Sequence, residues 1–481
     1  SQYWDLNMPL ILPGNVASTT AATGFDVDNS CRLDGTSSYM HKTPDSNSNR
    51  YTWTWSGWVK RSSNLAAQQT LFGVSAASGS YHLLSFDANA LLVHNYEGTH
   101  LTTTATYRDV SAWYHIVLAV DTTQSTDTNR LKLYVNGTQV TSFSNSGYPP
   151  EDEQMNINRT VQHDVGNAGT SYNYYFSGYM AEVVFIDGLA LAPTSFGEFD
   201  SDSPTIWKPI DVSGLTFGTN GFYLDFKASD NLGNDANGGT DLTEVNLAAT
   251  DQATDSATNN FATMNFLDNT EGGIATFSEG NCKILTDATL GNRCRSTVGL
   301  TTGKWYVEVK ITSAAHLNYQ TMGFTKTSPS GPLGDNWLGG GVGDVSYYSN
   351  DGKIYNTGNS VAGTAHGATA TTGDIIGCFL DLDNNTANFY KNGAQQNSGT
   401  GYDISSINGD TDEWFFACGD AVNNANTAEL ELNFGNPSYA PSSAVSDANG
   451  YGSFEYTPSV TTNGAAKDYL AICTKNLAEY G

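Results

Sequence analysis

The stretch Leu131-Lys-Leu-Tyr-Val-Asn-Gly-Thr-Gln-Val140 alternates apolar and polar residues, reaches an Asn-Gly pair and resumes a short β-prone run. Asn-Gly between two β runs favours a type I′ hairpin turn, because both residues tolerate positive φ. A related stretch, Phe389-Tyr-Lys-Asn-Gly393, follows the apolar run Ile375–Asp383. In each copy an apolar strand, a polar turn and a short strand precede the Asn-Gly pair. The repetition predicts two copies of a related β-sandwich architecture.

Strand signals extend on both sides of each Asn-Gly pair. Tyr51–Lys60 is strongly β-prone, and Trp113–Val120 is almost wholly apolar, as expected of a strand that is buried on both faces. The run Trp305–Ile311 alternates, so its odd-numbered residues are predicted to share one face. Runs of helix-forming residues are scarce, whereas turn-forming residues are abundant. The fold class is therefore predicted to be all-β.

We divide the chain into five segments by the density of these strand signals. The predicted segments are an N-terminal arm (1–24), a first sandwich (25–200), a linker with some strand (201–276), a second sandwich (277–440) and a C-terminal extension (441–481). Within the linker, Gly221–Phe226 is predicted to be one more strand. Within the extension, Ala465–Cys473 is predicted to form a helical turn.

Charge and cysteine content argue against several classes of protein. The formal net charge is −28, from 49 acidic and 21 basic residues, which disfavours a nucleic-acid partner. No apolar run approaches the roughly 18 residues that a membrane helix needs, and we expect neither membrane insertion nor a secretory signal. The six cysteines are scattered without a CxxC pair, unlike a disulfide scaffold or zinc module. Cys378 and Cys418 are expected to be buried free thiols. A disulfide bridge between Cys282 and Cys294 stays an open alternative.

Two groups of motifs resemble known modules. The first block resembles a laminin-G-like, concanavalin-A-like jelly roll, through Ser56-Gly-Trp-Val59, Trp113-Tyr-His115, Leu133-Tyr-Val-Asn-Gly137 and Gly178-Tyr-Met-Ala-Glu-Val183. The second block resembles a SPRY domain, through Gly303–Glu308, Tyr348–Gly352, Gly373–Cys378, Leu380–Asp383, Phe389–Gly393 and Leu432–Gly435. The resemblance implies two concanavalin-A-like jelly-roll sandwiches in tandem, with an irregular linker and an N-terminal arm.

The connecting segments resemble those of marine bacteriophage virion proteins of the tail-fibre type. The segments are Phe185–Thr194, Gly218–Phe226, Thr258–Thr263 and Leu470–Leu477. This resemblance implies a virion surface protein, such as a tail fibre, spike or capsid appendage. It would be assembled in the host cytoplasm and become extracellular after lysis, and its sandwiches would contact host glycans or other subunits. A purely structural capsid decoration or scaffold without a ligand, and a polysaccharide depolymerase, stay open as alternatives.

No motif in the sequence indicates a catalytic residue. GxSxG, HExxH and a phosphate-binding glycine loop are all missing. His115 lies in an apolar strand and is expected to be a core histidine. Two carboxylate pairs at period-two spacing, Glu429/Glu431 and Asp381/Asp383, could flank a glycosidic bond, but both lie in stretches that resemble SPRY framework strands. We expect no enzymatic activity.

Carbohydrate sites combine aromatic platforms with polar loops. The candidate ligand-binding residues are Tyr172, Tyr174, Tyr175 and Trp337, the last of them in the glycine-rich stretch 331–341. Packing of these aromatic residues into a sandwich or a subunit contact is the alternative. The sequence indicates no cofactor other than a candidate Ca²⁺ ion. The acidic loop 121–129, with Asp121 and Asp127, offers hard oxygen ligands to Ca²⁺, although ordinary turn chemistry is the favoured explanation of its composition.

The N-terminal arm is predicted to mediate assembly. Residues 1–24 combine an irregular pattern with more apolar side chains than a free tail would carry, among them Trp4, Leu10 and Ile11. We therefore expect a homo-oligomer, with the arm also contacting other virion proteins. The trimer that we favour is implied by the resemblance to phage fibres alone.

Overall fold

The structure, a computed structural model, describes most of the chain in a series of ranges. They are 24–63, 65–77, 80–95, 98–169, 172–268, 274–286, 292–314, 319–326, 337–341, 343–356, 363–397, 400–409, 412–421, 427–462 and 465–481. The predicted N-terminal arm (1–24), except for its last residue, lies outside these ranges. Its role in assembly therefore stays a prediction.

The first half of the described chain is built from strands and turns. The strands are β1 (Ser30–Asp34), β2 (Tyr39–Lys42), β3 (Thr52–Arg61), β4 (Gln69–Ala77), β5 (Ser80–Asp87), β6 (Ala90–Asn95), β7 (Gly98–Thr106), β8 (Trp113–Asp121), β9 (Leu131–Val135), β10 (Thr138–Gln139), β11 (Phe143–Ser146), β12 (His163–Val165), β13 (Ser177–Asp187), β14 (Gly197–Phe199), β15 (Trp207–Pro209), β16 (Phe222–Leu224), β17 (Thr243–Val245) and β18 (Gln252–Ala253).

The second half has the same character and ends in a short helix. Its strands are β19 (Ile274–Ser278), β20 (Lys283–Thr286), β21 (Asn292–Arg295), β22 (Lys304–Ala314), β23 (Gln320–Lys326), β24 (Asp344–Tyr348), β25 (Lys353–Asn356), β26 (Thr364–Ala365), β27 (Ile375–Asp381), β28 (Thr386–Lys391), β29 (Ala394–Gln395), β30 (Tyr402–Asp403), β31 (Trp414–Asp420), β32 (Ala428–Asn433), β33 (Val445–Ser446), β34 (Ser453–Phe454), β35 (Ser459–Thr462), β36 (Ala465–Asp468) and β37 (Leu470–Ala471), followed by α1 (Thr474–Tyr480). The predicted all-β class is confirmed. Among the described residues, no helix is long and apolar enough to span a membrane.

Each half forms a sandwich of two sheets. In the first sandwich the back sheet has the order β10-β9-β8-β3-β13-β1-β18, with β16 added to β13, and the front sheet has the order β11-β7-β6-β5-β4-β12-β2-β17. In the second sandwich the back sheet is β19-β20-β32-β22-β27-β28-β29, with β30 and β37 added to its strands, and the front sheet is β21-β31-β23-β24-β25-β26. The sequence-predicted tandem of sandwiches is therefore observed.

Alternating strand residues fill the two cores as the pattern predicted. Trp305, Val307 and Val309 point together into the second core. Trp53 and Trp55 lie in the first core. All six cysteines are buried free thiols, so Cys282 and Cys294 form no disulfide bridge.

The outer face of each back sheet is covered by irregular segments of the same chain. On the first sandwich, Phe196, Val212 and Phe217 pack over the back sheet. The region 201–276, predicted as a linker with some strand, adds β16 and β18 to this back sheet and β17 to the front sheet. The predicted strand in Gly221–Phe226 is present as β16.

The second back sheet is covered in the same way by the C-terminal residues. Phe454, Val460 and Tyr469 pack on Tyr306 and Phe379 of that sheet. The helical turn predicted in Ala465–Cys473 was wrong: this part forms β36 and β37, and the helix follows it. The reason is tertiary, since β37 pairs in parallel with β22 and its residues are buried against the sheet. Half-exposed aromatic side chains of the described residues, such as Tyr81 and Tyr348, lie on the front sheets.

Candidate functional site

The candidate tyrosines of the first sandwich lie on its front sheet. The segment that follows β12 folds back along β4, where the amide of Gly166 donates to the carbonyl oxygen of Leu71 at 3.0 Å and the amide of Thr70 donates to that of Tyr174 at 2.8 Å. This path places Tyr172, Tyr174 and Tyr175 beside the sheet, and all three are half-buried. The structure therefore brings the three sequence-predicted residues to one surface.

Tyr172 and Tyr174 belong to a contiguous aromatic group with two residues of neighbouring strands. Their rings stack at 5.6 Å between centroids with an interplanar angle of 17°. Tyr81 of β5 packs edge-on against Tyr172 at 5.1 Å, and His94 of β6 packs edge-on against Tyr81 at 5.1 Å. We call Tyr81, His94, Tyr172 and Tyr174 the first aromatic cluster. It presents partly exposed ring surface next to ring nitrogen and hydroxyl groups.

Tyr175 lies apart from this cluster, on the other side of β12. Its ring centroid is 6.1 Å from that of Tyr39 in β2, and Tyr39 is 5.9 Å from His41. Asp164 of β12 pairs across the sheet with His41 on one side and with Gly73 on the other. The two groups of aromatic residues therefore flank a central strand that carries a carboxyl group.

The Asp164 carboxyl holds the tyrosine-bearing segment in place. It is fully buried and accepts hydrogen bonds from Gln162 Nε2 at 2.7 Å, Asn167 Nδ2 at 3.2 Å and the amide of Gly169 at 2.8 Å. Burial raises the pKa of Asp164, although these donors oppose the rise. Because its oxygens are engaged within the protein, Asp164 positions the segment.

Trp337 belongs to a second group of aromatic residues, on the front sheet of the second sandwich. Its ring packs edge-on against Tyr355 at 5.2 Å and lies 5.8 Å from Tyr348, which in turn stacks with Tyr319 at 6.2 Å. We call Tyr319, Trp337, Tyr348 and Tyr355 the second aromatic cluster. It is distinct from the first cluster, so the four candidate ligand-binding residues lie in three places: Tyr172 and Tyr174 in the first cluster, Tyr175 beside Tyr39, and Trp337 in the second cluster.

A buried ion pair fixes the loop that carries Trp337. Asp344 accepts hydrogen bonds from the amides of Gly339 at 3.0 Å and Gly341 at 2.9 Å, and from Arg293 Nη1 at 2.6 Å. The hydroxyl of Ser346 also donates to the carbonyl oxygen of Leu338 at 2.8 Å. These bonds hold the backbone of Leu338, Gly339 and Gly341 against β24, immediately after Trp337.

A buried serine–histidine pair in the first sandwich lacks the geometry of a nucleophile. His115 Nε2 lies 2.9 Å from Ser56 Oγ, and both residues are almost fully buried, as predicted for a core histidine. Trp207 Nε1 donates to His115 Nδ1 at 2.9 Å. His115 is neutral, since burial lowers its pKa to about 3. Nδ1 is then the acceptor, so Nε2 carries the proton and donates to Ser56, leaving no base for the hydroxyl.

The two carboxylate pairs are engaged in ion pairs. Lys283 Nζ lies 2.9 Å from Glu429 and 3.8 Å from Glu431. Partial burial acts to raise the pKa of Glu429, but its bonds with Lys283 and Thr312 outweigh that effect and the pKa is lowered. A glycosidase acid needs a raised pKa. The geometry therefore offers no observation in favour of catalysis at Glu429.

The other pair is divided between a strand and a turn. Asp383 pairs with Lys304 Nζ at 2.5 Å, and that contact lowers its pKa. Asp381 is fully buried and accepts hydrogen bonds from the Asn384 amide and side chain. Both carboxylates therefore hold neighbouring backbone and side chains of the second sandwich.

The candidate calcium residues lie in an exposed turn after β8. Asp121 accepts hydrogen bonds from the amide and hydroxyl of Thr123 and from Gln124 Nε2. Asp127 begins a short 3₁₀ turn and accepts one from the amide of Thr128 at 2.7 Å. Within the described ranges, no group of three or more acidic, His or Cys side chains is arranged to hold a metal. Calcium binding here stays a prediction.

Sequence reasoning missed three of the residues that complete the aromatic surface. Tyr39, Tyr81 and His94 come from three separate strands. The signal for Tyr81 was present, because Leu84 and Phe86 of the same strand point inward and Tyr81 has the opposite parity. The pairing that brings β2, β5 and β6 to one surface is long-range, and the periodicity of a single strand does not contain it.

Comparison with known proteins identifies the two sandwiches. Residues 34–193 match the concanavalin A-like lectin/glucanases superfamily. Residues 304–435 match the SPRY domain. The chain contains a concanavalin A-like domain and a SPRY domain. The predicted laminin-G-like and SPRY modules are thereby confirmed, and domains of these types indicate a role in binding a ligand or a protein.

Curated relatives share part of the chain. ATP-dependent RNA helicase DDX1 of Xenopus laevis is 28% identical over 215 residues, which cover 42% of this chain and 26% of the helicase. Ran-binding protein 9 of Homo sapiens is 36% identical over 91 residues, which cover 19% of this chain and 12% of that protein. The chain spans about a quarter or less of each relative, so the similarity is one of domains.

Two solved structures also overlap with parts of the chain. A human SPRY domain matches with 20% identity and a TM-score of 0.25, covering 35% of this chain and 96% of that structure. A putative carbohydrate binding protein from Bacteroides ovatus matches with 16% identity and a TM-score of 0.32, covering 47% of this chain and 61% of that structure.

Proposed function

We propose that the protein is a non-enzymatic binding protein whose concanavalin A-like domain binds carbohydrate at the first aromatic cluster. The observation that carries the proposal is the stacked pair of Tyr172 and Tyr174, half-exposed beside Tyr81. Sugar rings present apolar C–H faces, and binding sites match them with aromatic surface and a few polar groups. The cluster supplies both kinds of group on one rigid sheet.

His94 and Tyr81 are the polar groups best placed to meet sugar hydroxyls. Tyr81 Oη lies 3.4 Å from His94 Nε2. Burial lowers the pKa of His94, so the ring is neutral at pH 7 and its two nitrogens are one donor and one acceptor. A neutral site on a chain of net charge −28 favours uncharged over anionic glycans.

A glycan array followed by calorimetry tests this proposal. The double variant Tyr172→Ala/Tyr174→Ala is expected to lose at least tenfold in affinity for any glycan that the parent chain binds. Such a loss corresponds to about 1.4 kcal/mol, as expected on removing stacked aromatic surface. Tyr451→Ala is the matched control, because Tyr451 is an exposed tyrosine of the covering C-terminal segment.

Equal affinity of the double variant and the parent chain would place the sugar elsewhere. Absence of any glycan signal from the parent chain would favour a structural decoration or scaffold without a ligand. Release of reducing ends from a polysaccharide would support the depolymerase alternative and contradict the non-enzymatic part of the proposal.

We assign the SPRY domain to a protein contact at the second aromatic cluster. The supporting observation is the half-exposed ring of Trp337, which packs on Tyr348 and Tyr355, since aromatic side chains are enriched among the anchors of protein interfaces. Trp337→Ala is expected to leave glycan binding unchanged and to weaken association with the partner, measured by affinity purification from particle-producing cells. A partner retained at full affinity by the variant would contradict this assignment.

The location on a virion surface rests on the resemblance of the connecting segments to phage proteins. Residues 1–24 would supply the contact with other virion proteins and with further copies of the chain, the trimer being favoured. Immunogold labelling of purified particles tests the location, and light scattering with and without residues 1–24 tests the assembly. Unlabelled particles, or a monomer that the deletion leaves unchanged, would argue against these parts.

Calcium binding at the 121–129 loop stays a separate prediction. Titration calorimetry with CaCl₂ would show heat that Asp121→Asn/Asp127→Asn removes. A titration without heat of binding would mean that Asp121 and Asp127 serve only the hydrogen bonds of the turn.

A further inference from the structure

The two domains meet at a contact between Tyr179 of β13 and the turn Glu279–Asn281. Tyr179 is fully buried on the outer face of the first back sheet. Its hydroxyl donates to the carbonyl oxygen of Gly280 at 3.1 Å and lies 3.5 Å from Cys282 Sγ. A Cβ atom on Gly280 would lie 2.2 Å from the Tyr179 ring. The ring therefore fills space that glycine alone leaves open.

The backbone of the turn is shaped for this contact. Glu279, Gly280 and Asn281 have φ angles of 51°, 61° and 67°, so three consecutive residues occupy the left-handed region. Non-glycine residues adopt that region rarely, and it persists where surrounding contacts hold it. The turn is held by hydrogen bonds from the Cys282 amide to the carbonyl oxygen of Glu279 and from the Met264 amide to that of Asn281, both at 3.0 Å, and Tyr179 adds a contact from the first domain.

Arg32 forms a second connection beside the first. It pairs with Tyr179 across β1 and β13, and its side chain is almost fully buried. The guanidinium lies 3.3 Å from the Glu279 carboxylate, and Nη2 donates to the carbonyl oxygen of Ser438 at 3.5 Å. Both of these partners belong to the second half of the chain. The buried guanidinium of Arg32 in the first domain is therefore paired with the carboxylate of Glu279 in the second half of the chain.

The chain that joins the domains is itself fixed to both of them. Lys60 of the first sandwich forms a buried ion pair with Asp255 at 2.7 Å and also donates to the carbonyl oxygen of Phe261. The amide of Thr254 donates to Asn436 Oδ1 at 2.9 Å. A flexible tether would lack such bonds, since linkers that permit domain motion make few contacts with the domains they join.

We infer that the two domains move as one rigid body, locked where Tyr179 contacts Gly280, and present the two aromatic clusters in a fixed mutual orientation. The rigidity does not depend on what either cluster binds. Where the proposed function holds, the consequence is that a glycan and a protein partner are engaged at one set separation.

Distance measurement by double electron–electron resonance tests the rigidity. Spin labels are attached at Thr138→Cys and Ala394→Cys, both exposed on edge strands of the two domains. The native cysteines are all buried, so labelling is confined to the introduced sites. The full chain is expected to give one narrow distance distribution. Gly280→Ala is expected to broaden or shift it, whereas Gly214→Ala, whose Cβ atom would contact nothing within 4 Å, leaves it unchanged.

A broad or multimodal distribution in the chain without Gly280→Ala would overturn the inference, and so would a Gly280→Ala distribution identical to that of Gly214→Ala. If the dichroism spectrum shows that Gly280→Ala does not fold, Glu279→Gln replaces it. That variant removes the charge opposite Arg32 and is expected to widen the distribution as well. An unchanged width in Glu279→Gln, with Gly280→Ala unfolded, would count against the lock.

Discussion

The backbone amide of His115 donates a 2.8 Å hydrogen bond to Asn136 Oδ1, and the amide of Asn136 donates one of 2.8 Å to the carbonyl oxygen of His115. The SPRY domain repeats this pair between Ile375 and Asn392, with the same two lengths. Both asparagines have positive φ, 47° and 49°. The Asn-Gly signature thus marks a turn that is tied to the start of a neighbouring strand in each domain.

Replacement of Asn136 is expected to destabilise the concanavalin A-like domain. Asn136→Ala loses the bond to the His115 amide and places a Cβ residue without side-chain compensation at positive φ. Each effect costs about 1 kcal/mol, so the free energy of unfolding should fall by about 2 kcal/mol in a urea titration. Asn136→Gly, which removes the bond but tolerates the backbone angle, should lose about half as much. Equal losses in the two variants would contradict this division.

Glu308 is expected to hold the C-terminal cover on the SPRY domain. Its buried carboxylate accepts bonds from Tyr306 Oη, Asn433 Nδ2 and the amides of Glu455 at 2.9 Å and Tyr456 at 2.8 Å. Glu308→Gln replaces one acceptor oxygen by a donor that faces other donors. The free energy of unfolding is expected to fall by about 1–3 kcal/mol.

Hydrogen exchange is the measurement that locates this effect. The amides of Glu455 and Tyr456 should lose protection in Glu308→Gln, while those of the concanavalin A-like domain keep theirs. Glu413→Gln serves as a surface control. Uniform loss of protection over both domains would show that Glu308 acts on the whole chain.

The strands and the Asn-Gly turns could be predicted because their signals are local. Alternation placed Trp305 and its neighbours in the core, and Asn-Gly marked both hairpins. The segments that cover the back sheets could not be predicted, because their burial depends on long-range contacts. One of these joins Glu308 to the Glu455 amide, 147 residues away. For the same reason Tyr172 and Tyr174 could be proposed from the sequence, whereas the contact of Tyr172 with Tyr81, 91 residues earlier, could not.

Glu182 should make stability depend on pH near neutrality. It lies at the β-bulge of β13 with φ 49°, and its buried carboxyl is bonded by Tyr223 Oη at 2.5 Å. Burial raises its pKa from 4.5 to about 7. A carboxyl whose folded pKa is raised favours folding while it is protonated, so its contribution is lost as pH rises from about 4.5 through 7.

The comparison of Glu182→Gln with the parent chain isolates that contribution. The variant keeps an acceptor for Tyr223 and cannot ionise, so at pH 8 it should be more stable, by at most about 3 kcal/mol. At pH 4 the two should be equal. Glu198→Gln, at an exposed glutamate, controls for loss of surface charge. Thermal unfolding at the two pH values is the measurement, and an advantage of equal size at both would refute the assignment.

Alanine substitutions at Gly137 and Gly373 distinguish the cost of backbone strain from the cost of a steric clash. Both have positive φ, 75° and 92°. A Cβ atom at Gly137 would lie 2.3 Å from the Trp207 ring, whereas one at Gly373 would contact nothing within 4 Å. Gly373→Ala should therefore cost about 1 kcal/mol, the penalty for alanine in the left-handed region. Gly137→Ala should cost more, because Trp207 must move and its bond to His115 is then lost, leaving a buried imidazole nitrogen without a donor. Guanidinium unfolding of the two variants measures the difference. A larger loss of unfolding free energy in Gly373→Ala would contradict the prediction, because Trp207 would then be able to move away from residue 137 without destabilising the domain.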